Sequence, residues 1–134
     1  SMTAQRFRMD IISENIANIT TTSPAEGGPY RRKVVTFAER DVTPFSQIYS
    51  ASKNAAVGNG VKVSSVTEDY DTDFVKEYDP SNPDADADGY VSYPNVNTVT
   101  EMTNLIDATR AFEANSTAFS AIKSMAEKGL SIGQ

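Results

Sequence analysis

This chain of 134 residues contains no cysteine, histidine or tryptophan, and these absences limit the reactions it could catalyse and the ligands it could bind. Without cysteine the chain forms no disulfide and offers no thiolate. Without histidine, a Ser–His–Asp triad is impossible, and the commonest general base and transition-metal ligand are both missing. An enzyme built from this sequence would have to use carboxylates, lysine or tyrosine alone. The composition therefore predicts a protein that is not an enzyme and carries no cofactor.

Positive charge is also scarce, with 12 Lys and Arg against 18 Asp and Glu, a net charge of −6 and a pI near 4.6. Binding to nucleic acid or to an anionic membrane needs clustered Lys and Arg, so neither is expected as a partner. The one basic cluster, Arg31 to Lys33, is short, and we interpret it as the solvated face of a strand more readily than as a phosphate site.

Long apolar runs are missing as well. No stretch approaches the ~20 residues that a membrane span needs, so no membrane insertion is expected. Ser1 and Met2 resemble residues added for expression, and the natural chain is expected to begin earlier. What is present is 39% hydrophobic residues and 22% charged residues, which suffices for the core of one small domain.

Apolar residues recur at helical spacing at both ends of the chain. A three-and-four repeat places side chains on one stripe, which is the seam along which helices pack. The stripes predict an N-terminal helix over residues 3–19 and a long C-terminal helix over residues 97–131, with Thr98 and Glu101 as its capping box. The predicted N-terminal interface residues are Met9, Ile12, Asn15, Ile16, Asn18 and Ile19. The C-terminal ones, which we call the seam, are Leu105, Ala108, Phe112, Asn115, Phe119, Ile122 and Ala126.

Three asparagines in this set invite separate interpretations. Asn15 and Asn18 come near the end of the first helix, where amides can bond freed carbonyl groups or tolerate a left-handed turn. Asn115 falls on the seam between Phe112 and Phe119. There it either fixes the register of a partner helix or lies at an exposed margin of the stripe, and the sequence leaves both open.

Between the helices, residues 20–96 read as a β-rich middle domain. Strand composition appears at residues 30–37, 60–69, 74–78 and 90–93, with turn residues between them. The alternation in the second strand breaks near Ser64 and Ser65, which indicates either a bulge there or a twist of the strand onto a second face. Residues 41–59 are read as a long loop. The fold class is α+β, with terminal helices forming a coiled-coil-like pair around a small antiparallel sheet or open barrel.

An acidic loop, Asp84 to Gly89, opens like an EF-hand, with oxygen ligands at alternate positions followed by glycine. The twelfth position, which should be a bidentate Glu, is Asn95, and Pro80 and Pro83 block an incoming helix. We therefore favour a polar hairpin turn. A calcium-binding interaction module that uses Asp84, Asp86 and Asp88 is the alternative function.

The ends of the chain resemble the terminal signatures of bacterial flagellar rod and hook proteins, the axial family. The N-terminal likeness covers residues 3–18, and the C-terminal likeness covers residues 101–115. The middle of the chain is similar to the proximal rod members of that family. The segments that carry this second likeness are Gly27 to Lys33, Gly60 to Val63, and Tyr78 to Asn97.

The resemblance implies a structural subunit of the flagellar basal-body rod, which is a drive shaft that crosses the periplasm. It also implies contacts with other rod proteins and with copies of the same chain. Export would proceed through the flagellar type III apparatus without a cleaved signal peptide. Compared with the family pattern, the extreme N-terminal segment is absent, so the first helix is expected to be shortened.

Overall fold

The computed structural model describes residues 2–22, 28–40 and 60–133. Helix α1 spans Met2–Ala17. Strands β1 (Lys33–Glu39), β2 (Val61–Glu68), β3 (Val75–Tyr78) and β4 (Tyr90–Tyr93) follow, and helix α2 spans Thr98–Ile132. This arrangement confirms the α+β class, with terminal helices and an antiparallel β region between them. The predicted loop at residues 41–59 lies outside the described residues.

The four strands form two separate antiparallel ribbons, β1 with β2 and β3 with β4. Within the described ranges there is neither a single sheet nor an open barrel, so that part of the prediction is wrong. The predicted bulge is confirmed: Thr36 pairs with Ser65 and Phe37 pairs with Val63, which leaves Ser64 as the extra residue.

Helix α1 runs antiparallel to α2 and also packs on β1 and β2. Its direction follows from two contacts, Asn15 with Glu101 and Met9 with Thr109. A small apolar core lies along the helix pair and includes Ala4, Ile12 and Ala108. A second small group of buried residues comprises Val91, Pro94 and Val96, which lead from β4 into α2.

Helix α2 begins one residue earlier than its predicted capping box requires. The cap is Asn97, whose side-chain oxygen accepts a hydrogen bond from the Thr100 amide at 3.1 Å. The predicted box of Thr98 and Glu101 is therefore wrong. Because the cap lies one residue before Thr98, the Glu101 carboxylate is not needed there and points into the interior instead.

Candidate assembly interface

Asn15 lies at the centre of a buried polar cluster where α1, β1 and α2 meet, and only 1% of its surface is exposed. Its Nδ2 donates to the Lys33 carbonyl oxygen at 2.9 Å and to Glu101 Oε2 at 3.3 Å. Its Oδ1 accepts from the Lys33 amide at 2.9 Å and from the Tyr30 hydroxyl at 2.8 Å. All four bonds available to an amide side chain are thus made. Neither role predicted for Asn15 is found, because it lies inside α1 and its side chain pairs with the backbone of β1.

Asn18 does bond a freed helix carbonyl, as predicted. Its Nδ2 donates to the Glu14 carbonyl oxygen at 2.9 Å, and its Oδ1 accepts from the Thr21 hydroxyl at 3.2 Å. Asn18 therefore helps to end α1 within this chain.

Glu101 is 1% exposed and forms an ion pair with Arg32 through Oε1 and Nε. Burying a carboxylate is costly unless its oxygens are paired, and here Asn15 and Arg32 serve one oxygen each. Arg32 Nη1 also lies 3.9 Å from Asp69 Oδ2. The pair joins α2 to the segment before β1 and so fixes how the β region meets the helices.

The other two basic residues of the cluster are also engaged in contacts. The Arg31 guanidinium lies 4.4 Å from the ring centres of both Tyr70 and Phe74, which is a cation–π arrangement. Lys33 forms an ion pair with Glu14 of α1. The interpretation of this cluster as a solvated strand face is therefore wrong: Arg31 and Arg32 precede the strand, and each side chain anchors another element.

Asn95 plays a similar part on the far side of Arg32. Its Oδ1 accepts from the Arg32 amide at 2.8 Å, and its Nδ2 donates to the carbonyl oxygens of Asp69 and Thr72, both at 3.0 Å. Hydrogen bonds from Thr72 and Asp71, with the nearby Arg32 charge, lower the pKa of the Asp69 carboxyl. The cluster therefore extends continuously from α1 to the loop that follows β2.

Burial and nearby negative charge raise the pKa of Tyr30, whose hydroxyl donates a hydrogen bond to Asn15 Oδ1. Desolvation is the largest cause, followed by Glu14, Glu101 and Glu68, and together they raise the pKa of Tyr30 to about 12. The hydroxyl therefore stays protonated, and remains a donor, at physiological pH.

The structure brings together the first half of the predicted interface. Ile12 and Ala108 are buried, Met9, Ile16, Leu105 and Phe112 are half-buried, and the Thr109 hydroxyl lies 3.5 Å from Met9 Sδ. Ile19 and Asn115 are also half-buried. These contacts follow from the antiparallel course of α1 beside the first half of α2.

The second half of the seam is uncovered. Phe119 is 59% exposed, Ile122 is 62% exposed, and Ala126 is also exposed. Every residue from 116 to 133 is exposed, and the described part of α1 lies beside α2 only up to about residue 115. The N-terminal apolar residues therefore do not pack on Phe119 or Ile122 within this chain.

The acidic loop forms a hairpin turn between β3 and β4. Asp86 Oδ1 accepts from the amides of Asp88 and Tyr90 at 3.0 and 2.9 Å, and Asp84 Oδ2 accepts from the Thr22 hydroxyl at 2.7 Å. Gly89 has a φ of +86°, which favours glycine. Among the described residues, no group of three acidic side chains is arranged to hold a metal ion, and nothing supports the calcium-binding alternative.

Sequence reasoning missed Glu101 and Asn95 as buried residues, and it missed Arg32 and Tyr30 as half-buried members of the same cluster. One signal was available for Glu101: it lies four residues before Leu105 and seven before Ala108, so it continues the seam by one position. Nothing local marks Asn95 or Arg32, because their partners come from distant parts of the chain.

The chain is similar in sequence to known proteins. A family model described as the C-terminal region of flagellar basal body rod FlgEFG proteins matches residues 87–132. Over 140 aligned positions, the chain is 47% identical to the flagellar basal-body rod protein FlgC of Bacillus subtilis (strain 168), and the alignment covers 100% of this chain and 92% of the relative.

Two further relatives carry the same name. The FlgC of Borreliella burgdorferi is 44% identical over 139 positions, which cover 99% of this chain and 91% of the relative. The FlgC of Escherichia coli O6:H1 is 40% identical over 134 positions, which cover 100% and 91%. No helix in the described parts of the chain has the length and hydrophobicity to cross a membrane. The chain belongs to the FlgC family of flagellar basal-body rod proteins.

Proposed function

We propose that this protein is a non-enzymatic structural subunit of the flagellar basal-body rod, and that it joins neighbouring subunits through the uncovered part of the seam on α2. The rod assignment rests on full-length similarity to proteins that carry that name. The assembly role rests on the seam pattern of α2, whose second half, from residue 116 onward, is open among the described residues and carries exposed apolar side chains.

The open half is long enough to hold a partner helix. The 17 helical residues from 116 to 132 extend about 25 Å at the ordinary rise of an α-helix. Fully burying a side chain such as Phe119 or Ile122 contributes roughly 1.5–3 kcal/mol. A stripe with several such residues would therefore supply much of the energy of a subunit contact.

The proposed interface comprises the residues that the seam pattern selects. Within the chain, Met9, Ile12 and Ile16 face Leu105, Ala108 and Phe112. Between chains, Phe119, Ile122 and Ala126 would meet helices of other rod proteins or of copies of this chain. Asn115 is half-buried on the seam between Phe112 and Phe119, so its amide is well placed to select the register of a partner helix.

The polar cluster gives the middle region a mechanical role. The bonds of Asn15, Glu101 and Arg32 tie the β ribbons to both helices at one point. A subunit of a rotating shaft must pass load between its parts without shearing. In this proposal residues 3–19 and 97–131 form the wall of the rod, and residues 20–96 brace it.

We further propose that the chain works in the periplasm and reaches it through the flagellar type III apparatus without a cleaved signal peptide. A chain without cysteine has no disulfide to open before passage through a narrow channel. This part of the proposal rests on the family resemblance.

A charge placed on the open seam tests the proposal. Phe119→Asp should leave the folded part intact, since Phe119 is 59% exposed, and should abolish co-precipitation with partner rod proteins. Ser120→Asp is the matched control, because it adds the same charge one residue later on an exposed position away from the seam. Undiminished co-precipitation by Phe119→Asp would refute the assembly role of the seam.

A further inference from the structure

A small cavity lies where α1, β1 and the first turns of α2 meet, beside the buried polar cluster. Its volume is about 190 Å³, and Ile11, Val34 and Val35 supply its apolar lining. Arg8 of α1 and Asn104 of α2 also line it, and both residues are half-buried. The cavity therefore combines apolar side chains with polar groups that can donate hydrogen bonds.

The lining of this cavity carries more positive than negative charge. Its basic residues are Arg8, Arg32 and Lys33, and among the described residues that line it Glu101 alone is acidic. Glu101 is paired with Arg32, and Lys33 is paired with Glu14 of α1. Arg8 forms no ion pair or hydrogen bond within residues 2–22, 28–40 and 60–133. Its charge is therefore uncompensated, in a chain whose net charge is −6.

Asn104 is the second polar group of the cavity without a partner, since its side chain bonds to no described residue. The neighbouring cluster shows the opposite: Asn15 makes four hydrogen bonds, and each oxygen of Glu101 has a donor. Partly burying an arginine without a counter-charge costs free energy, and a carboxylate that pairs with its N–H groups offsets that cost. An unpaired guanidinium beside an unpaired amide thus indicates a site for an anion.

We propose that this cavity receives the carboxylate of a single Glu or Asp side chain from a different rod protein. Arg8 would pair with the carboxylate through two N–H groups, and Asn104 Nδ2 would donate to it as well. Ile11, Val34 and Val35 would cover the methylene groups of the incoming side chain.

The size and the charge of the molecule support this choice of occupant. Sites for small molecules in proteins usually measure about 300–1,000 Å³, so a cavity of about 190 Å³ suits one side chain better than a free metabolite. Two copies of this chain repel each other at long range, because each carries a net charge of −6. The inference rests on the proposed rod function and names an acidic side chain as the group that a partner presents.

Titration followed by nuclear magnetic resonance tests the site itself. The blocked peptide acetyl-Ala-Glu-Ala-amide should shift the backbone amide signals of Ile11, Val34 and Val35 in the isotope-labelled full chain. The neutral peptide acetyl-Ala-Gln-Ala-amide should bind about tenfold more weakly, because it lacks the charge that Arg8 would pair with. Equal binding of the two peptides, or binding of neither, would overturn the proposed site.

Two variants test the part played by Arg8. Arg8→Gln should weaken binding of the acidic peptide about tenfold. Arg6→Gln is the matched control, because it removes the same charge two residues earlier, at an exposed position outside the cavity, and it should leave binding unchanged. In the free protein the urea midpoint of Arg8→Gln should equal or exceed that of the natural sequence, since no bond is lost within the described part of the chain. A marked fall in the midpoint would show that Arg8 stabilises the free chain and would contradict the proposal.

Co-precipitation with partner rod proteins tests the source of the carboxylate and separates this inference from the rod function. Arg8→Gln should reduce co-precipitation, whereas Arg6→Gln should not. If Arg8→Gln binds partners fully while Phe119→Asp does not, the cavity contact is wrong and the seam stands. If neither variant loses partners, the proposed assembly role fails as well. Self-association that depends on Arg8 would make a second copy the occupant and overturn the choice of partner.

Discussion

A single-atom change at Asn15 provides the sharpest test of the buried cluster. Asn15→Asp keeps the shape of the side chain but replaces the Nδ2 donor by an oxygen. That oxygen would face two acceptors, the Lys33 carbonyl oxygen at 2.9 Å and Glu101 Oε2 at 3.3 Å. We expect a large loss of stability from this change.

The magnitude follows from the bonds that are lost. A neutral hydrogen bond contributes about 1 kcal/mol and one to a charged group about 1.5–3 kcal/mol, so the two losses come to roughly 3 kcal/mol. Repulsion between the new carboxylate and Glu101 adds to this. A small domain has a free energy of unfolding near the low end of about 5–15 kcal/mol, so the variant should lose more than half of its stability.

Urea unfolding followed by far-ultraviolet circular dichroism measures the effect. The matched control is Asn18→Asp, which makes the same chemical change three residues later, where Nδ2 has one partner, the Glu14 carbonyl, and the side chain is only half-buried. We expect the control to cost about 1 kcal/mol. If the two variants have equal unfolding midpoints, Asn15 does not organise the junction and the argument from the cluster fails.

Three further predictions concern individual residues. The free energy of unfolding should fall as pH rises from 10 to 12, because unfolded chains lose the Tyr30 proton near pH 10 whereas the folded state holds it to about 12. In Tyr30→Phe, the urea midpoint should depend less on pH over this range. Gly89→Ala should lower the melting temperature, since φ is +86° and an added Cβ would come within 2.9 Å of the Tyr78 ring; the exposed, uncrowded Gly129→Ala should not. Calcium should give no binding heat in titration calorimetry, since Asp86 already accepts two backbone amides; micromolar affinity would revive the calcium module.

Local patterns were enough for much of the fold. The three-and-four repeats predicted both helices to within two residues at each end, because helical periodicity involves only residues in adjacent turns. The break in alternation near Ser64 predicted the bulge for the same reason. Strand β4 was predicted at its observed bounds, residues 90–93, because Gly89 and Pro94 mark its ends.

Pairings between residues that are far apart in the chain could not be predicted from the sequence. The capping box assigned Glu101 to the helix start, yet Asn97 took that place and left the carboxylate for Arg32, which lies 69 residues away. The basic cluster looked solvated because neither Tyr70 nor Phe74 can be identified from it as a partner of Arg31. Such contacts depend on how helices and strands pack against one another, and this packing cannot be derived from composition alone.

The sequence by itself determined the helical ends, their apolar stripes, the β-rich middle and the membership of the rod family, because each is expressed in short-range periodicity or in direct likeness. Only the tertiary structure decided which seam residues α1 covers. Among the described residues, α1 lies beside α2 up to about residue 115, because the two helices run antiparallel. The buried bonds of Asn15 and Glu101 hold α1 in that register.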